Sequence, residues 1–405
     1  MKFGIFMAPF HRVGENPTLA FERDMQLIQW LDDLGYDEAF IGEHHSAGWE
    51  IIPSPEIFMA VAAGRTKRIM LGSGVVSVPY HHPFNIANRF ALLDQLTHGR
   101  VMLGCGPGAL PSDAYMLGIE TTTQRDRMVE GLSAVMRLFN EEGNITVDGS
   151  YFTLREAHLQ VKPFQQPLPV FVANTISPSG MVAAGKLGCG VLSVAAFSPG
   201  GLASLPKRWA MAEEIAAENG KTVDRKNWRL VFPVHLAESA KEAADDVREG
   251  GNTWIQKYFI ETLAAKVQFE EYPGQPTGEM TMDRMIARGG AIVGTPDDAI
   301  KRINEVIEVS GGGFGGLLVL AHEWASREKT LKSYEMLARY VMPKFQGASV
   351  PIEYSQQWTA ERKDQLFSTS VKAVVKAMHD YKENRQAVGA KPSDLADQPI
   401  TRVRP

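Results

Sequence analysis

Lys2-Phe3-Gly4-Ile5-Phe6-Met7-Ala8 opens the chain, and Pro9-Phe10-His11 follows it. Lys2–Ala8 reads as a β-strand, and what comes next decides between two architectures. A doubly wound sheet normally carries a glycine-rich phosphate turn directly after its first strand. Pro9-Phe10-His11 is no such turn, so the first strand points to a closed barrel instead.

The rest of the chain keeps the same rhythm. Thr18–Leu34 is helical and Gly35 stops it. Glu38–Gly42 is the second strand, and Ser54-Pro55 opens a helix through Arg65, with Ser54 as cap and proline in the first turn. Ile69–Val78 is a third strand, Pro83–Leu96 a helix, Val101–Gly104 a fourth strand. Thr123–Asn140 is a long helix with Met128, Leu132, Val135 and Leu138 at helical spacing. Asn144–Leu154 reads as a small hairpin insertion. Strands at Val170–Ala173, Gly190–Ala195, Trp228–Leu236 and Gly316–Ala321 alternate with helices at Gly180–Leu187, Leu205–Gly220, Thr295–Ser310 and Glu328–Tyr340. Ala240–Phe269 is rich in helix formers, and Tyr272–Asp283 reads as a long loop. Eight strand–helix alternations in about 340 residues predict an α/β fold, a TIM (β/α)8 barrel over residues 1–345. The extension 346–405 holds one helix-like stretch, Ser370–Tyr381, then a polar end with Pro392, Pro399 and Pro405. It is expected to pack on the barrel or a partner subunit, or to be partly disordered.

Composition narrows the class. The 405 residues are 44% hydrophobic and 22% charged, ordinary for a globule with a substantial core. A net charge of −5 gives no reason to expect nucleic acid or an anionic membrane as partner. Two cysteines, Cys105 and Cys189, make a disulfide framework improbable and fit a reducing compartment. Residues 1–7 are too soon interrupted by Pro9 to be a signal peptide, and no apolar run approaches membrane-spanning length. The expected setting is the cytoplasm.

A barrel does its chemistry where the strands end. There the sequence gathers His11; Glu43, His44 and His45; the run Gly74–Pro79; Gly104–Asp113; Asn174–Ser179; Ser193; and Ala321-His322-Glu323. Successive residues of an extended chain face opposite ways, so one histidine of the pair 44/45 is expected to reach the interior. Adjacent imidazoles that diverge, with no spaced third ligand, argue against a metal. The two are either functional or satisfied by backbone carbonyls. Gly72 and Gly74 inside a buried strand mark either close approach by a ligand or a bend. The glycine-rich turn at 104–113 offers free amides, though not in dinucleotide-binding spacing; Asp113 in it either caps the next turn or enters the site. Asn174-Thr175-Ile176-Ser177-Pro178-Ser179-Gly180 places hydroxyls at a helix start, a natural anion site, with Arg125 or Arg127 as the available guanidinium. Of His81 and His82, the first reads as structural and the second as lining the site. Met7, Phe10, Trp49, Tyr115 and Met116 make the mouth apolar.

Taken in order, Lys2-Phe3-Gly4, Glu43-His44-His45, Leu71-Gly72-Ser73-Gly74-Val75, Pro79, His82-Pro83, Leu93-Asp94-Gln95, Gly99-Arg100 and Ile292-Val293-Gly294-Thr295-Pro296 resemble the bacterial luciferase-like flavin monooxygenases. His44-His45-Ser46-Ala47-Gly48 and Gly108–Tyr115 are most similar to the limonene-monooxygenase branch. The resemblance implies reduced FMN at the C-terminal mouth, reacting with O2 to a C4a-(hydro)peroxide that inserts one oxygen into a small apolar terpene, ketone or aldehyde. It implies NAD(P)H acting through a separate flavin reductase, and a homodimer formed through helices Pro55–Arg65 and Pro83–Leu96. On this chain it places the catalytic base at His44 and a non-prolyl cis bond at Gly74–Val75. Gly106, Asp113, Asn174, Thr175, Ser177, Ser179 and Ser193 complete the flavin site, and His11, Glu43, His45, His82 and Tyr115 line the substrate pocket. Tyr272–Asp283 becomes the lid. Where luciferases carry a Cys-Arg pair, this chain has Gly106-Pro107, so that arginine's phosphate contact is either missing or supplied elsewhere, and the resemblance stops short of light emission. The competing readings are an F420-dependent hydride-transfer enzyme on the same barrel and a non-catalytic flavin-binding paralogue.

Overall fold

The computed structural model describes residues 1–7, 10–175 and 177–389. Ala8, Pro9 and Ile176, and the prolines at 392, 399 and 405, lie outside the described residues. The chain divides into two compact units, Met1–Gln346 and the segment from Gly347 onward.

The first unit is a closed parallel barrel. Its strands are β1 (Lys2–Met7), β2 (Glu38–Ile41), β3 (Met70–Ser73), β4 (Val101–Gly106), β5 (Val170–Asn174), β6 (Gly190–Ser193), β7 (Trp228–Phe232) and β8 (Gly316–Leu320). Each pairs with its sequence neighbour, and β8 pairs with β1, with Lys2 opposite Gly316 and Phe6 opposite Leu320. Strand burial is nearly continuous, with Phe3, Ile5, Phe40, Leu71, Leu103, Val172, Leu230 and Leu317 all inaccessible or almost so. That is the signature of parallel strands covered on both faces. The predicted architecture is thus the observed one.

Two strands are broken, and the first break shapes the mouth. β3 stops at Ser73, the Gly74–Val75 peptide is cis, and a short strand resumes at Val76–Ser77 against Cys105 and Gly106. The strand expected across Trp228–Leu236 is divided at Pro233, which has no N–H for the ladder. Val234–Leu236 leaves the barrel to pair with Ile292–Gly294, a strand the periodicity did not announce. The helix-forming stretch 240–269 runs as an α-helix, Ala240–Thr253, then widens to π-helix over Trp254–Thr262. Wide turns of this kind are common at functional sites.

The floor is ionic. At the amino-terminal end of the strands, Arg229 donates two hydrogen bonds of 2.6 Å to Glu38, with both side chains nearly inaccessible. The guanidinium also lies 5.3 Å from the centre of the Phe171 ring.

The second unit holds two helices, Val350–Glu361 and Lys363–Ala387, rather than the single stretch expected at 370–381. Neither buries a residue. Pairs such as Lys376–Asp380 carry helix over sequence whose apolar spacing is too sparse to announce it. Among the described residues no helix is long and apolar enough to cross a membrane.

Candidate active site

A hollow of about 390 Å³ opens at the carboxyl ends of the strands, within the usual range of small-molecule sites. β2 delivers Glu43 and His44 to its wall. The loop behind them folds back, His44 N donating to the carbonyl of Ile52 at 3.0 Å, and this brings Glu50 to the same wall.

His44 sits between two carboxylates. Its Nδ1 is 3.1 Å from Asp113 Oδ2, and its Nε2 is 3.3 Å from Glu50 Oε2. Burial disfavours the charged ring, but Glu50, Asp113 and Glu43 outweigh it and raise the imidazole pKa above its ordinary value. Asp113 does not line the hollow; it lies behind His44, where it also accepts from His45 N and from the Ser46 hydroxyl. Those bonds overcome burial and hold its carboxyl below the usual range.

Glu43 reaches the wall but is fully engaged. Its Oε1 accepts from His45 Nε2 at 2.9 Å and His81 Nε2 at 2.8 Å, and its Oε2 from Ser77 N at 2.8 Å. Burial would raise this carboxyl's pKa, yet the three donors and the His81 charge leave it lowered. One histidine of the pair therefore faces the hollow and the other turns back to a carboxylate, as strand alternation requires.

The opposite end of the hollow is hydroxylic and cationic. Thr175, Ser177, Ser179 and Arg125 line it. Ser177 Oγ and Ser179 Oγ are 2.8 Å apart, and Arg125 Nε donates to Ser179 at 3.3 Å. Asn174 is buried beneath this loop: in the amide orientation that satisfies both atoms, its nitrogen donates to the Ser177 carbonyl at 3.0 Å and its oxygen accepts from Arg208 at 3.2 Å. Arg208 also donates to the Thr175 carbonyl. Between the two ends run the Gly74–Val75 peptide and Gly106. A Cβ on Gly106 would stand 2.6 Å from Val75 Cγ2, so any larger residue here would have to displace the Val75 side chain. Phe10, Phe197, Trp254, Tyr258 and Phe259 form an aromatic wall; Phe10 and Tyr258 meet edge to face at 5.0 Å.

Several expected site residues lie elsewhere. His11 is buried against Asp24, Nε2 to Oδ2 at 2.8 Å, outside the hollow. Ser193 accepts from Trp228 Nε1 at 2.9 Å, leaving Val194 and Ala195 to face inward. His82 is an exposed helix cap that accepts from Phe84 N at 3.3 Å, while His81 is the one joined to the site through Glu43. Tyr115 is 86% exposed. His45 and Asn174 stand behind the wall, not in it. Arg127 lies over the Tyr151 ring at 4.4 Å. The segment 272–283 does not line the hollow; the π-helical turn and Leu263, Ala265 and Gln268 do. Sequence reasoning missed Glu50, Tyr258 and Arg208. Each lies far from a strand end, and no local pattern marks them.

The family model for luciferase-like monooxygenase matches residues 1–312. The chain is 44% identical over 345 residues to limonene 1,2-monooxygenase of Rhodococcus erythropolis, covering 85% of this chain and 87% of that protein. It is 40% identical over 365 residues to 4-hydroxyprotoasukamycin monooxygenase of Streptomyces nodosus subsp. asukaensis, covering 89% and 97%. Among solved structures, the oxygenating constituent of 3,6-diketocamphane monooxygenase from Pseudomonas putida, a type II Baeyer-Villiger monooxygenase in complex with FMN, superposes with a TM-score of 0.75. It is 28% identical and the match covers 85% of this chain and 98% of that one. The chain belongs to the luciferase-like monooxygenase family.

Proposed function

We propose that this protein is an FMN-dependent monooxygenase that uses reduced FMN and O2 to place one oxygen atom in a small apolar substrate, a terpene, ketone or aldehyde. The observation that carries this reading is the division of one hollow into three parts: a hydroxyl and guanidinium end, a lane past Gly74, Val75 and Gly106, and an aromatic wall beside His44. The cofactor's parts fit that division. Thr175, Ser177, Ser179 and Arg125 would hold the phosphate, Arg125 taking over a contact that Gly106-Pro107 cannot make. Gly74, Val75 and Gly106 would lie along the ring system. When bound, reduced FMN supplies the electrons that activate O2. The chain's own residues do the rest: the aromatic wall excludes water, and His44 holds a proton at the ring nitrogen that faces Glu50.

The test supplies purified protein with FMN, a separate flavin reductase, NADH and isotopically labelled O2, over a panel of terpenes, ketones and aldehydes. A product heavier by one labelled oxygen, dependent on the reductase, is the expected outcome. Binding of F420 with no affinity for reduced FMN would turn the reading to hydride transfer, and flavin binding with no product would turn it to a silent paralogue. Arg125→Met is expected to weaken FMN binding about tenfold, the worth of one charge-assisted hydrogen bond, as read by flavin fluorescence.

We also propose a homodimer. Ile57 and Val61 stand one turn apart on helix Pro55–Arg65, and Leu92 and Leu96 one turn apart on helix Pro83–Leu96. All four are exposed, Ile57 at 66% and Leu96 at 68%. Glu56 and Arg89 bridge the two helices at 2.9 Å. Clustered apolar surface of this kind marks association. Leu92→Glu is expected to halve the mass measured by light scattering.

A further inference from the structure

Glu50 is the unexplained group in this site. A carboxylate on an apolar wall is costly unless it is paired. Glu43, the other carboxylate of the hollow, is satisfied by three donors. Glu50 is not. Its Oε1 accepts from the Tyr258 hydroxyl at 2.5 Å. Its Oε2 is buried with no directed hydrogen bond among the described residues, and the ring nitrogen beside it is His44 Nε2 at 3.3 Å. Tyr258 is itself nearly inaccessible, on the π-helical turn, wedged among Phe10, Trp49 and Phe259. The hydroxyl that bonds Glu50 is therefore set in a close-packed aromatic cluster. Burial, and after it the Glu50 charge, push the Tyr258 pKa far up, so it remains a donor at every working pH.

We propose that Glu50 is a positioning residue, anchored by Tyr258, whose carboxylate is the counter-ion that keeps His44 protonated on both ring nitrogens and so makes it a resident proton donor. This deepens the reading of the same site, because it assigns the proton's direction: His44 gives a proton toward the hollow instead of taking one from it. The charges around the ring are consistent. Asp113 faces Nδ1 from the helix Pro111–Met116, Glu50 faces Nε2 from the loop after β2, and Glu43 lies on the ring's own strand end. His45 and His81 stand behind Glu43 and are engaged by it. Arg125 is the cation on the far wall of the hollow, at its hydroxyl end. Nδ1 bonded to one carboxylate and Nε2 beside another leaves no nitrogen available as a base.

The test is made on the ligand-free protein, so it does not depend on flavin or turnover. Histidine is labelled with nitrogen-15, and the His44 ring is assigned from the resonances lost in His44→Asn. In the native protein at pH 6.5, the ordinary midpoint, most of the His44 population is expected to show the protonated shift at both nitrogens; a mostly neutral ring with a bare Nε2 would overturn the proposal. In Glu50→Gln, which keeps the shape and removes the charge, the His44 titration midpoint is expected to fall by about one pH unit, with the circular dichroism spectrum unchanged. An unmoved midpoint in the folded variant would equally overturn it. The native measurement stands even if Glu50→Gln does not fold. A protonated His44 in a protein that oxygenates nothing would overturn the monooxygenase reading alone.

Discussion

His44→Asn is expected to lower turnover by about 10²–10⁴-fold, the range for loss of a positioned proton-transfer group, while FMN binding stays near native. The asparagine keeps a polar group beside Asp113 but cannot carry the charge. Single-turnover product formation at saturating reduced FMN, set against flavin binding by fluorescence, separates the two effects. Unchanged rates would remove His44 from the chemistry. The pH dependence follows from the ring's surroundings. Burial opposes the imidazolium, but Glu50, Asp113 and Glu43 prevail and raise its pKa. A raised histidine pKa stabilises the fold fully below the ordinary value near ~6.5 and ceases to as pH rises through the folded value. Native turnover is expected to decline over the same upper limb, and that limb should be absent from the variant.

Arg229→Met is expected to destabilise the barrel by about 3–5 kcal/mol, because it strands a carboxylate in the floor. Glu38 and Arg229 are each about 2–3% exposed and joined by two short bonds. Lys2, 3.9 Å from Glu38, is half in water and too distant to replace a two-pronged contact. The double variant Glu38→Leu with Arg229→Met should recover most of the loss, since a well-packed apolar pair is often as stable as a buried ionic one. Urea unfolding of the native protein and of these two variants checks this. A single variant as stable as the native protein would show that water already reaches the floor.

The barrel was legible because each strand is a short apolar run set off by glycine or proline, and each helix repeats its apolar residues at its own period. The site was legible where chemistry lies next to a strand end: His44, Gly74, Gly106, Thr175, Ser177 and Ser179 all reach the hollow. A strand end tells which edge a residue occupies but not which way it faces. Ser193 and His11 occupy the right edge and face their neighbours instead. His82 and Tyr115 sit one step further along, on a helix cap and a short surface helix, where exposure depends on packing. Glu50, Tyr258 and Arg208 needed the fold itself. Tyr258 meets Glu50 across 208 residues, and Arg208 reaches Thr175 across 33.

One stretch of chain, the widened turn from Trp254 to Thr262 with Leu263 after it, contributes four of the apolar side chains that border the hollow. The carboxylates and imidazole of Glu43, His44, Glu50 and Asp113 belong to other stretches, and the Tyr258 hydroxyl bonds one set to the other. On the proposed reading, cargo choice and reactivity would be coded in separate cassettes. A lineage, or an engineer, that conserves tyrosine at 258 is free to rewrite the neighbouring letters and re-tailor the guest without retuning the acid that serves it.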